Sequence, residues 1–125
     1  MKIVTLIARI LLGLAFLVFG LNGFLDFLKG PMPAGTAGQF ASALAATHYM
    51  HCISGLEVIA AVLLLVNRYV PLGLVLLGPI IVNILFFHIF MAPSTIGPGL
   101  LVTLLWFVVF ASVRHAFSGI FQARA

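Results

Sequence analysis

Four stretches of this chain, about residues 5–28, 46–66, 70–91 and 97–117, are apolar almost throughout, and each reaches the roughly 20 residues that a helix needs to cross a hydrocarbon core of about 30 Å. A chain that is 64% hydrophobic and 6% charged, with a mean hydropathy of +1.33, stands far from the roughly 25% charged content of soluble domains. The pattern predicts an all-α membrane protein, an antiparallel bundle of four transmembrane helices that occupies a single domain over residues 1–125.

The connections agree with four spans. In "KGPMPAGTAGQF" the prolines Pro31 and Pro33 and three glycines stop a helix. Only "NRY" is polar between the second and third spans, and Pro71 suits the first turn of a new helix, where its missing N–H costs nothing. Pro93 and Pro98 in "APSTIGPG" divide the third span from the fourth. Links this short place consecutive helices side by side. Residues 36–49, "TAGQFASALAATHY", are Ala-rich and suit a short helix, either lying at the interface or extending the second span outward.

A net charge of +4 and a pI near 10.0 do not point to nucleic acid, because basic residues bind phosphate backbones only when clustered on one face. Here they follow topology. With the N-terminus inside, Lys2, Arg9, Arg68, Arg114 and Arg124 fall at the inner ends of the spans and Lys29 falls outside, so both termini are expected in the cytoplasm. A cleaved signal peptide is the competing reading of the first span, but its apolar stretch exceeds the usual 7 to 15 residues and three spans follow. The one cysteine, Cys52, rules out a disulfide or a C-x-x-C pair within the chain. There is no Walker loop and no GxGxxG, so nucleotide-driven chemistry has no support.

Within the spans, polar residues can be placed by depth. Glu57, one of only two acidic residues, lies about 16 Å into the second span, near the midplane. Asn83 is about 20 Å along the third. His88, His51, Asn22 and Asp26 lie further toward the same outer end, whereas Arg9 and Arg114 lie near the inner surface, too far to pair with Glu57. A charged carboxylate facing lipid costs a few kcal/mol, so Glu57 is expected to face the bundle interior in a neutral, proton-donating form. Asn83, Ser54, Asn22 or a histidine would be its partners. It is then either part of a ligand site or a hydrogen-bonding clasp between helices.

Other residues admit a functional and a plainer reading. Asn22 and Asp26, four apart, share a helix face and suit the rim of an outward cavity, although Asp26 can simply mark the water interface. His51 and His88 meet the minimum for a bis-histidine haem in a bundle, but without further ligand signals haem is disfavoured against ordinary interfacial histidines. His48, His51 and Cys52 are too close on one helix to converge on zinc, so no metal site and no catalytic residue is assigned. Pro79 should kink the third span one turn before Asn83. Gly13, Gly20 and Gly23 permit close helix approach. Phe86, Phe87 and Phe90 could stack on a planar ring or serve as packing.

"ARILLGLAFLVFGLNGF" in the first span, "ISGLEVIAAVLLLV" in the second and "NILFFHIFM" in the third resemble the DoxX family of small four-helix membrane proteins, over roughly residues 5–118. The informative positions are Asn22, Gly23, Gly55, Glu57, Asn83 and His88. The resemblance implies a bacterial inner-membrane protein, named after a subunit of an archaeal terminal quinol oxidase and linked elsewhere to thiosulfate oxidation and oxidative-stress complexes. It supplies no general catalytic set. The favoured expectation is a quinone-associated or redox-complex accessory subunit, with Glu57, Asn83, Asn22, His88 and His51 as ligand-binding candidates. The alternatives are an assembly protein without its own ligand and a small-solute or proton transporter. Expected partners are the lipid bilayer, redox-complex subunits and a second copy of the chain; autonomous catalysis is not expected.

Overall fold

The computed structural model describes residues 2–27 and 32–124. Among them the chain forms five α-helices and two 3-10 turns, and no strand. Helix α1 spans Lys2–Leu25, α2 Gly35–Ala45, α3 Tyr49–Leu65, α4 Val70–Met91 and α5 Gly97–Val113, with 3-10 turns over Pro93–Thr95 and Arg114–Phe117. Three segments are long and apolar enough to cross a membrane: Lys2–Leu25, Val70–Met91 and Gly97–Phe117. A fourth span arises if α2 and α3, bent by 82° at their break, count as one.

Local chemistry explains these boundaries. Alpha-helix α1 ends where Asp26 turns left-handed (φ 50°) and donates its N–H to Asn22 O at 2.8 Å. The residues 28–31 that follow, including the expected end of the first span, the outward Lys29 and the helix-stopping Pro31, lie outside the described residues. Helix α3 closes in a Schellman motif: Asn67 adopts φ 58°, its N–H bonds Leu64 O and the N–H of Arg68 bonds Leu63 O, satisfying carbonyls the helix leaves unpaired. Pro71 then sits in the first turn of α4, and Pro98 in the first turn of α5, where a missing N–H removes no helical bond.

The break between α2 and α3 holds neither proline nor glycine. Thr47 makes it: its hydroxyl donates toward Ala43 O at 3.2 Å and accepts the N–H of Tyr49 at 3.3 Å, a local pairing that competes with helix continuation. Residues 36–49 therefore do not extend the second span in a straight line. Residues 36–45 belong to the separate helix α2, which turns across α3 and α4, and Tyr49 already opens α3.

Packing follows residue size. The most extensive helix contact is between α1 and α3, and the first-span glycines lie along it. A Cβ at Gly13 would meet Leu65, one at Gly20 would come within 2.8 Å of Val58, and one at Gly23 would overlap Ser54 Oγ. The absence of side chains lets the backbones approach closely enough for dispersion contacts to accumulate. Leu12, Phe16, Leu64, Leu74, Leu77 and Val109 complete a fully buried core. Between α4 and α5 the contact is bulkier: the indole N–H of Trp106 is donated to Leu74 O at 3.0 Å, and within α5 the same ring stacks on Phe110 at 5.2 Å.

Arg9 has a role that topology alone did not suggest. Its Nη1 donates to Leu64 O and reaches Leu65 O at 3.4 Å. A cation thus sits on the last carbonyls of α3, where the helix dipole is negative, and ties α1 to that end of the bundle.

Candidate functional site

Near the opposite end, α1, α2, α3 and α4 surround a cavity of 670 Å³. Besides the exposed Tyr49 at its edge, four polar side chains line it: Asn22 from α1, Glu57 from α3, and Asn83 and His88 from α4. The rest of the wall is mainly apolar or aromatic, with Ile53, Pro79, Ile80 and Phe87, and Phe40 arrives from α2. Volume and lining both match sites for small organic ligands, which run from about 300 to 1,000 Å³ and combine apolar walls with few polar groups.

Glu57 is the most buried of the polar four, at 6% exposure, and lies in the middle of α3, eight residues from Tyr49 and eight from Leu65. Of the partners anticipated for it, Asn83 and His88 bond within their own helix. Asn83 Nδ2 donates to Pro79 O of its own helix at 2.8 Å. Ser54, fully buried one turn before Glu57, keeps an Oγ with no hydrogen-bond partner among the described residues. His88 Nδ1 stands 2.8 Å from Ile84 O; a carbonyl only accepts, so Nδ1 carries the hydrogen and Nε2 is left for other contacts. Arg9, held on the carbonyls of Leu64 and Leu65, lies about two helical turns from Glu57 along α3.

The structure therefore brings together four of the five candidates read from the sequence. His51 stands apart. It is exposed, its ring stacks on Phe24 at 5.5 Å, and its Nδ1 lies 3.3 Å from that of His48. Six residues separate His51 from Glu57, which is about 240° around the axis and so on another face. Among the described residues no group of three His, Cys, Asp or Glu side chains converges as a metal site would. Asp26 is exposed at the end of α1 and does not line the cavity.

The phenylalanines divide in the same way. Phe87 lines the cavity and its ring packs against Phe40 at 5.5 Å. Phe86 and Phe90 face outward, 54% and 76% exposed, as lipid-facing residues would be. The contribution of α2 could not be foreseen from the four spans, because it depends on the fold-back at Thr47. Met32, Pro33 and Phe40 join the wall only through that turn.

An all-helical chain with three to four segments fit to cross a bilayer, most of its large side chains turned outward, is a multi-pass membrane protein in contact with lipid. It belongs to the DoxX family, whose model, described as DoxX, matches residues 4–89. That region contains α2 and α3 and nearly all of α1 and α4, including Asn22, Glu57, Asn83 and His88; α5 lies beyond it. No curated protein and no solved structure matches the chain.

Proposed function

We propose that this DoxX-family protein is an accessory component of a membrane redox system, and that the cavity around Glu57 receives the head group of a quinone. The observation that carries this reading is the convergence of Glu57, Asn22, Asn83 and His88 from three helices on one largely apolar space of 670 Å³. A quinone ring is planar and apolar on its faces and presents carbonyl oxygens at its edge. Phe87 and Phe40 supply aromatic surface for the faces. The Glu57 carboxyl and the Asn22 and Asn83 amides supply polar groups for the edge; an amide has two N–H donors, and the bond from Asn83 to Pro79 O uses one. A quinone brings the redox chemistry with it when bound, and the protein contributes position and exclusion of water.

In this reading the helices form an antiparallel four-span bundle, with α2 and α3 as one broken span, in a bacterial cytoplasmic membrane with both termini inside. The positive-inside distribution of Lys2, Arg9, Arg68, Arg114 and Arg124 supports that orientation. The broken span supports a ligand role, since interrupted helices at membrane depth are tolerated where they are covered by protein or line a cavity.

The test is mass spectrometry of an organic extract of the detergent-purified protein, comparing wild type with Glu57→Gln. A quinone retained by the wild type and lost from the variant is the expected result. Phospholipid alone in both extracts removes the quinone and leaves the assembly role.

A further inference from the structure

A second cavity, of 810 Å³, lies at the other end of the bundle, among the first turns of α1, the start of α4 and the last turns of α5. Lys2, Thr5 and Arg9 face it from α1, Asn67 from the link before α4, and Ser112 from α5. Its remaining walls are apolar, Val70, Phe107 and Val108 among them.

The charge at this cavity is unbalanced. The chain has two acidic residues, and neither lines it: Asp26 ends α1 at the far end and Glu57 lines the other cavity. Two helices begin here, α1 and α4, and two end here, α3 and α5, so the half-charges of their dipoles offset one another to first order. The charges of Lys2 and Arg9 remain. Arg9 is also fixed in place, since its Nη1 is held on Leu64 O and Leu65 O, while a guanidinium carries five N–H donors in all.

We propose that this cavity binds an anionic phospholipid, with its phosphate taken by Lys2 and Arg9 and an acyl chain lying on the wall formed by Phe107 and Val108. Two cations facing an anion explain the polar part of the cavity; the apolar part calls for a ligand with a hydrocarbon portion, which a soluble phosphate lacks. Basic pockets between membrane helices bind acidic head groups on this principle, and each cation near the surface contributes about a fivefold preference.

Native mass spectrometry of the detergent-purified full chain, with equimolar phosphatidylglycerol and phosphatidylcholine added, tests this. Wild type should retain phosphatidylglycerol preferentially, and Lys2→Gln should lower that preference about fivefold. Arg124→Gln, which removes a cation outside the cavity, should leave it unchanged. Lys2 is exposed in the first turn of α1, so its replacement does not depend on refolding, unlike that of Arg9. Equal retention of the two lipids by the wild type, or an unchanged preference in Lys2→Gln, overturns the proposal. Displacement of phosphatidylglycerol by excess inorganic phosphate overturns it in favour of a free-anion site.

Discussion

The two ends of the bundle handle polar groups in opposite ways. At the Lys2 end, polar atoms complete the backbone: Arg9 closes the last carbonyls of α3 and Asn67 turns the chain in a Schellman motif. At the α2 end, Glu57, Asn22, Asn83 and His88 border an open cavity, and the bonds of Asn83 and His88 return to their own helix. Arg9 and Asn67 are thus needed to build the helices although both also face a cavity, whereas Asn83 and His88 could be exchanged for apolar residues of similar shape without opening a helix. That distinction separates fold from candidate function better than burial does, because Glu57 and Ser54 are both buried and only Glu57 lines the cavity.

The largest expected effect probes whether the α2 end has a rigid side. Gly23→Val places a side chain into Ser54 Oγ and should lower stability by up to about 3 kcal/mol, as overpacking does, measured by thermal unfolding in detergent; adding Ser54→Gly should recover part of the loss. Arg9→Met comes next. It removes a charged donor from Leu64 O and Leu65 O and should cost about 2 kcal/mol without altering quinone retention. A stable Arg9→Met protein would blur the contrast between the ends.

Smaller effects sharpen it. Asn67→Ala should lose about 1 kcal/mol because φ 58° is unfavourable for alanine, and Asn67→Gly should lose nothing. Asn83→Leu should change stability by less than about 0.5 kcal/mol, since the lost bond lies within one turn of α4, while ligand retention falls. Unfolding of Asn83→Leu would assign that residue to construction rather than to the site. Orientation has its own readout: exposed Cys52 at the start of α3 should react with a membrane-impermeant maleimide added outside intact cells, and Ser118→Cys in a Cys52→Ala chain should not.

The sequence made some of this legible and hid the rest for identifiable reasons. The span read as 70–91 matches α4, Val70–Met91, because Pro71 and Pro93 bracket it. The first span, read as 5–28, begins three residues later than α1 does, because hydropathy does not count the charged Lys2 that opens the helix. The span read as 46–66 contains α3, but its start was set by hydropathy, which does not register the turn at Thr47. Depth sufficed to collect Glu57, Asn83, Asn22 and His88, while His51 required knowledge of its direction around the helix. The bonds of Arg9 and Trp106 to backbone carbonyls on other helices leave no periodic signal at all; they depend on which helices meet.

The break at Thr47 bears on where in a cell such a protein would settle. With 17 residues, α3 is about 25 Å long, roughly 5 Å less than an average hydrocarbon core. Its neighbours α1 and α4, of 24 and 22 residues, have no such deficit. Where lipid meets α3, a bilayer of average thickness has to thin at a fraction of a kcal/mol per Å, so a thinner membrane suits this part of the molecule better.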